Sequence, residues 1–124
     1  MFSHVMIGTN DLDRAKAFYD AVLGTLGVNP GFVDRHRIFY RTATGTLGVS
    51  LPINGEPATA PNGGTLGFAC ESAAQADAWH AAGIAAGGTT CEDPPGVREG
   101  AGGKMYLAYL RDPDGNKLCG LHRM

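Results

Sequence analysis

Hydrophobic and polar positions first alternate and then change to a helical spacing at the start of the chain. Residues 2–8 (FSHVMIG) are rich in aromatic and β-branched side chains and end at a glycine, which predicts a strand. A polar cluster follows, with Asn10 and Asp11 as N-cap candidates. Apolar residues then recur at steps of three and four from Leu12 to Leu26, which predicts an amphipathic helix that ends near Gly24–Gly27.

The spacing returns to that of strands after the helix. Residues 32–40 and 46–51 predict two or three short strands, separated by Thr44 and Gly45. The prolines and asparagines of the next stretch predict a connector over residues 54–62.

The same order of elements then repeats. The predicted elements are a strand over 65–70, an alanine-rich helix that begins at Ser72 and ends at Gly87–Gly88, a long loop over 91–103, and strands over 105–111 and 117–121 around the turn 112–115. Aligning the two halves so that His4 meets Thr65 also places Phe18 on Trp79. We therefore predict one domain of two βαβββ modules, 1–53 and 63–124. Neither module could bury its sheet alone, so the two must pack together or exchange with a partner chain.

The composition excludes several classes of protein. A chain of 124 residues that is 44% apolar is long enough for one domain with a hydrophobic core. The ten lysines and arginines are scattered and the formal net charge is −2, so a nucleic-acid partner is not expected. No apolar run reaches the length of a membrane span, and no signal peptide is recognised. Three cysteines indicate reduced thiols, and we expect a cytoplasmic protein that does not bind membranes.

Glycine is unusually frequent. The chain has 19 glycines, about twice the average frequency of roughly 7%. Most of them fit helix ends and turns, but Gly96, Gly100, Gly102 and Gly103 crowd the predicted loop around Arg98. This group predicts a mobile flap beside the cleft, in which Arg98 would bind a carboxylate or phosphate; alternatively, Arg98 is a solvated loop residue paired with Glu99.

Four sequence features, taken in their order along the chain, resemble those of the glyoxalase/bleomycin resistance protein/extradiol dioxygenase superfamily. Its members are also called vicinal oxygen chelate proteins. The four features are His4 in the first strand, the pattern of Asp11, Ala15, Phe18 and Tyr19 in the first helix, Asn62-Gly63-Gly64 before the second module, and Arg111-Asp112-Pro113-Asp114-Gly115-Asn116 near the end. The resemblance covers essentially the whole chain. It implies an α+β fold in which two βαβββ modules form curved mixed sheets around a U-shaped cleft, and it implies a homodimer.

The resemblance also implies where a divalent metal would bind. Family members commonly hold the metal with His or Glu side chains at four strand positions, two in each module. The first position matches His4, but the others fall on Thr65, on Cys119, and on Val49 or Ser50 depending on the strand register. We therefore expect no metal, with His4 and Cys119 as the weak candidates for ligands.

Without a metal, the predicted cleft would bind a small molecule through its side chains alone. By the resemblance His4, Tyr109 and Cys119 face this cleft, and with Arg98 they are the candidate ligand-binding residues. A histidine beside Cys119 would lower the thiol pKa and create a nucleophile; alternatively, Cys119 is a small core residue.

A second group of basic residues lies on the strands of the first module. Alternation places Arg35, Arg37 and Arg41 on one side, where one of them can reach the cleft or all of them can face water. Trp79, by contrast, is expected in the core.

Three functional hypotheses follow. The first is a small-molecule-binding protein or enzyme of this group with a degenerate metal site and an unknown reaction. The second is a metal-dependent lyase or dioxygenase that uses His4 with non-standard ligands. The third is an antibiotic-sequestering resistance protein that holds a cationic drug between acidic and aromatic walls.

Overall fold

The computed structural model describes residues 1–124 and contains two helices and nine strands. In chain order these are β1 (His4–Gly8), α1 (Leu12–Gly24), β2 (Phe32–Asp34), β3 (Arg37–Thr42), β4 (Gly45–Ser50), β5 (Leu66–Ala69), α2 (Ala73–Ala85), β6 (Thr89–Thr90), β7 (Gly96–Gly100), β8 (Gly103–Arg111) and β9 (Lys117–Arg123).

The strands form two separate mixed sheets, so the predicted α+β class is confirmed. The first sheet has the order β1-β4-β3-β2, with β1 parallel to β4 and the other pairs antiparallel. The second has the order β5-β9-β8-β6, with β7 also paired to β8. In this sheet β5 runs parallel to β9, as β1 does to β4.

Both helices begin within one residue of the start that the sequence predicts, and each has a side-chain cap. The side chain of Asp11 accepts a hydrogen bond from the backbone N–H of Arg14, and that of Ser72 accepts one from the backbone N–H of Gln75. Each cap satisfies one of the N–H groups that the first turn of a helix leaves without a partner. Neither helix is long and apolar enough to cross a membrane.

The core lies between the sheets and the two helices, which pack against each other. Thirteen buried residues from both halves of the chain form one cluster. Trp79 belongs to this cluster and is fully buried, which confirms the predicted core position. A Cβ atom at Gly120 would lie 2.9 Å from the Trp79 ring, so only glycine on β9 leaves room for the indole.

Residues 91–103 differ from their predicted structure. The prediction of a loop is wrong for residues 96–100, because β7 lies within this stretch and pairs with β8 from Gly96↔Leu107 to Gly100↔Gly103. Glycine has a low intrinsic preference for strands, so the sequence pattern missed a strand whose order comes from its pairing with β8.

Candidate functional site

A cavity of about 680 Å³ lies over the face of the first sheet that points away from the core. Its lining side chains alternate along β1, β3 and β4 with side chains that are buried among the helices. Every lining residue belongs to the first half of the chain: Ser3, His4, Met6, Ile7, Gly8, Arg37, Phe39, Arg41, Thr46, Ser50, Leu51, Pro52 and Ile53.

Strand register arranges most of these residues in three rows across the sheet. One row joins Arg41, Thr46 and His4, and the opposite one joins Arg37, Ser50 and Gly8. The row between them joins Phe39, Gly48 and Met6. The cavity floor is therefore an apolar strip between two polar strips, each of which contains an arginine.

Gly48 shapes the middle of this floor. A Cβ atom on Gly48 would overlap the Sδ atom of Met6 and would lie 3.3 Å from the ring of Phe39. The missing side chain lets the Met6 and Phe39 side chains meet above the backbone of β4.

His4 is exposed at the edge of the cavity. Its Nδ1 atom lies 2.7 Å from the Oγ atom of Ser3, which fixes the plane of the ring with one hydrogen bond. The other ring nitrogen has no hydrogen-bond partner within the chain, so it can donate to a ligand or accept from one.

Two of the three arginines predicted on one side of the strands line the cavity. Arg37 and Arg41 both do so, whereas Arg35 lies in the turn between β2 and β3 with φ = 59°. The guanidinium carbon of Arg41 lies 4.9 Å from the ring centroid of Phe32 and 5.3 Å from that of Phe39. These two contacts hold the Arg41 side chain against the apolar strip.

Tyr109 and Cys119 are neighbours on the second sheet, where they face each other across β8 and β9. Burial raises the pKa of the Cys119 thiol, so the thiol remains protonated at neutral pH. Burial and the neighbouring Cys119 also raise the pKa of Tyr109. The Nζ atom of Lys117 lies 5.1 Å from the centre of the Tyr109 ring and pairs with Glu92. A protonated thiol in these surroundings is a weak nucleophile.

Arg98 lies on β7, and its guanidinium group binds the backbone of its own hairpin. Nη1 donates to the carbonyl oxygens of Gly96 at 3.0 Å and Leu107 at 3.5 Å, and Nη2 donates to that of Asp93 at 3.0 Å. These hydrogen bonds fix the segment before β7 onto β8.

Within one chain the four predicted ligand-binding residues do not share a cavity. His4 lines the cavity over the first sheet, whereas Tyr109, Cys119 and Arg98 belong to the second sheet. A smaller cavity of about 350 Å³ lies between the end of α1 and β5, and its lining is mainly apolar.

The residues at the family's metal positions do not fit a divalent metal. His4 is the only imidazole among them, and the cavity face of β4 offers the hydroxyl groups of Thr46 and Ser50. Ser50, not Val49, lies on this face, because Val49 is fully buried in the core. Cys119 lies on β9 of the second sheet and not beside His4, and no three His, Cys, Asp or Glu side chains of the chain cluster as a metal site requires.

Sequence reasoning missed Phe39 and Met6, the two apolar residues of the middle row, and the role of Gly48. Strand alternation carries the signal for Phe39, since it lies between Arg37 and Arg41 with one residue on either side. The position of Met6 follows from its spacing of two residues from His4.

Comparison with known proteins agrees with this fold. A family profile described as the Glyoxalase/Bleomycin resistance protein/Dioxygenase superfamily matches residues 1–119. No curated protein sequence matches the chain.

Solved structures resemble the chain over nearly its whole length. A glyoxalase/bleomycin resistance protein from Albidiferax ferrireducens T118 is 67% identical, with a TM-score of 0.98 and coverage of 99% of both chains. A glyoxalase-related enzyme from Fulvimarina pelagi is 22% identical, with a TM-score of 0.76 over 99% of this chain and 88% of that one. A lactoylglutathione lyase from Agrobacterium tumefaciens is also 22% identical, with a TM-score of 0.68 over 98% and 92%. The last two show a shared fold only. With the profile match over residues 1–119, the chain belongs to the glyoxalase/bleomycin resistance protein/dioxygenase superfamily.

Proposed function

We propose that this protein binds a small organic molecule in the cavity over the first sheet, without a divalent metal and as a homodimer. The observation that carries the proposal is the cavity itself, whose lining combines His4, Arg37 and Arg41 with an apolar strip. Its volume of about 680 Å³ lies within the range of about 300–1,000 Å³ that is typical of small-molecule sites.

The donor set supports binding without metal. His4 would be a single imidazole ligand, and the hydroxyl groups of Thr46 and Ser50 are poor ligands for the transition metals that imidazole binds. A lyase or dioxygenase that depends on a metal at His4 would need further donors from outside the chain. Metal analysis of protein purified without chelator tests this point, and one metal ion per chain would contradict it.

The charge of the cavity does not favour a cationic antibiotic as the ligand. A sequestering protein of that kind needs acidic groups to attract the drug. The cavity lining contains two arginines and neither Asp nor Glu. The third hypothesis therefore has no support from this site.

In the proposed homodimer, a second copy of the chain packs over the cavity. Met6, Phe32 and Ile53 have exposed fractions of 40%, 46% and 89% and lie in or beside the cavity, so a large apolar area faces solvent in one chain. A partner that covered this area would bury it and could bring the polar face of its own second sheet towards His4. Analytical ultracentrifugation tests the assembly, for which we expect a dimer at micromolar concentration; a monomer would contradict it.

Ligand binding is tested by the thermal unfolding of the protein with a set of small metabolites. A ligand present at 100 times its Kd raises the free energy of unfolding by about 2.7 kcal/mol, which is a measurable shift in Tm. A matched variant, Gly48→Val, fills the middle of the cavity floor. We expect it to remove the shift, and a shift that persists in this variant would place the ligand elsewhere.

A further inference from the structure

We infer that the cavity over the first sheet selects an organic carboxylate whose body is apolar, with Arg41 as the residue that binds the anionic group and Arg37 as a second positive charge at the opposite side of the apolar strip. This inference rests on the small-molecule binding proposed above and names the class of ligand. It follows from the charges, the contacts and the arrangement of the lining side chains.

The charge of the cavity lining is opposite in sign to that of the whole protein. The chain has a formal net charge of −2. The lining nevertheless contains Arg37 and Arg41 and no acidic residue. A concave surface of one sign attracts ligands of the opposite sign and excludes ligands of its own sign.

The guanidinium groups of Arg37 and Arg41 make no hydrogen bond and no ion pair within the chain. The ion pairs of the chain involve Arg14, Lys16, Lys104 and Lys117, and neither cavity arginine takes part. The arginines that donate hydrogen bonds are Arg14, Arg98, Arg111 and Arg123. The acidic residue nearest to Arg37 in the strand register is Asp34, its backbone partner across β2 and β3. Asp34 forms no ion pair with Arg37 and does not line the cavity. Two arginines with free donors in a cavity favour a carboxylate, whose two oxygens match the guanidinium fork.

Aromatic contacts hold Arg41 ready for such a ligand. Phe32 and Phe39 are partners across β2 and β3, with ring centroids 5.6 Å apart. The guanidinium carbon of Arg41 lies about equally far from both rings, at 4.9 and 5.3 Å. A side chain that is fixed before binding loses less conformational freedom when the ligand arrives.

The apolar strip defines the rest of the ligand. Phe39 and Met6 lie one row away from Arg41 and His4 across the sheet, which is about 7 Å along a strand. A carboxylate bound at Arg41 would therefore place an attached ring or alkyl group over Phe39 and Met6. The carboxylate of such a ligand would also lie in the same row as His4 and Thr46.

The test is a protein-observed NMR titration with size-matched carboxylates, alcohols and amines, in which 3-phenylpropionate, 3-phenylpropanol and 3-phenylpropylamine form the reference trio. We expect the carboxylates to bind, with shifts at His4, Phe39 and Thr46. Arg41→Ala should weaken that binding by about tenfold to a hundredfold, as expected for the loss of a hydrogen bond to a charged group. Arg37→Ala removes a positive charge from the other side of the apolar strip and should weaken binding by a smaller factor.

The control variant is Arg35→Asn, which removes the same charge outside the cavity and suits the left-handed backbone at this position. We expect it to leave carboxylate affinity unchanged. If alcohols or amines bind at the cavity as tightly as carboxylates, or if the Arg41 and Arg37 variants bind like the unmodified protein, the inference is wrong and small-molecule binding remains. If no compound of any class shifts the cavity resonances, the inference and the proposed function are both wrong.

Discussion

The phenol of Tyr19 donates a hydrogen bond of 2.5 Å to Oδ2 of Asp112, and both residues are almost completely buried. Tyr19 lies on α1, whereas Asp112 begins the turn between β8 and β9, 93 residues later in the chain. Asp112 also accepts hydrogen bonds from the backbone N–H groups of Asp114 and Asn116 and from the side chain of Asn116. Burial, followed by the neighbouring Asp112, raises the pKa of Tyr19 well above its usual value. The Asp-Pro-Asp-Gly-Asn sequence therefore joins the two halves of the chain.

Replacing Tyr19 by Phe should destabilise this junction. The change leaves the ring in place but removes one donor from a buried carboxylate, which costs about 1.5–3 kcal/mol. Urea unfolding measures the loss. The matched control is Tyr106→Phe, because Tyr106 makes the same kind of hydrogen bond to Asp77 at 2.6 Å near the surface. We expect the control to cost about 0.5 kcal/mol or less, and equal losses in both variants would contradict a structural role for the junction.

The same junction shows how far the sequence predicts the fold. Residues 112–115 are predicted as a turn from local chemistry, and the starts of the two helices near Asp11 and at Ser72 are predicted on the same basis. These elements depend on hydrogen bonds within a few residues. The contact between Tyr19 and Asp112 depends on a partner 93 residues away in the chain, so local patterns give no sign of it. The strand β7 pairs with the adjacent strand β8, but its glycines and the prolines before it conceal the alternation that is typical of a strand.

Asp20 makes the stability of the first half depend on pH. Burial raises its pKa, but the hydrogen bonds from Lys16, the backbone N–H of Gly31 and Tyr40 together outweigh that effect, so the pKa lies below its usual value of 3.8. A carboxylate with a lowered pKa in the folded state stabilises the protein above the pKa of the unfolded chain. That contribution is lost as the pH falls through the lower, folded value.

We therefore expect Asp20→Asn to be less stable than the unmodified protein at pH 7. The difference in the free energy of unfolding should shrink as the pH falls below about 4, near the pKa of an unperturbed aspartate. Urea unfolding at a series of pH values measures it. Asp34→Asn, at an exposed position with no ion pair, should show no such trend. A difference for Asp20→Asn that stays constant down to pH 2 would contradict this role.

Gly48→Ala should close part of the cavity without unfolding the protein. The added Cβ atom would overlap the end of the Met6 side chain, which is flexible and 40% exposed, so Met6 can move into the cavity. We expect a loss of stability of about 1 kcal/mol or less and a clear loss of affinity for 3-phenylpropionate by calorimetry. Gly45→Ala on the same strand is the control, because a Cβ atom there meets nothing within 4 Å. Unchanged affinity in Gly48→Ala would contradict the location of the site.

Cys119 and Cys70 should react slowly with alkylating reagents. Burial raises the pKa of both thiols, and both side chains are buried, whereas Cys91 is half-buried. Because the thiolate is the reactive form, iodoacetamide at pH 7.5 should label Cys91 first. Peptide mass spectrometry over a time course measures the order, and faster labelling of Cys119 would restore the nucleophile that the sequence first suggested.

The site was only partly predictable for a physical reason. Strand alternation predicts that Arg37 and Arg41 share a face, and both line the cavity. The same alternation is wrong for Arg35, because the chain turns there with a positive φ and the period of two residues is interrupted. Arg98 was expected over a ligand, but its donors bind the carbonyl oxygens of its own hairpin. A turn with a positive φ decides the position of Arg35, and the hairpin of β7 and β8 decides that of Arg98.

The central claim is that the ligand binds over the first sheet, and an NMR titration of the isotope-labelled protein with 3-phenylpropionate tests it most directly. We predict that the backbone amides of β1, β3 and β4 shift together, among them those of His4, Phe39 and Ser50. Arg41→Ala should reduce these shifts at equal ligand concentration. Shifts confined to the second sheet around Tyr109, or to the smaller apolar cavity beside Leu66, would contradict the claim.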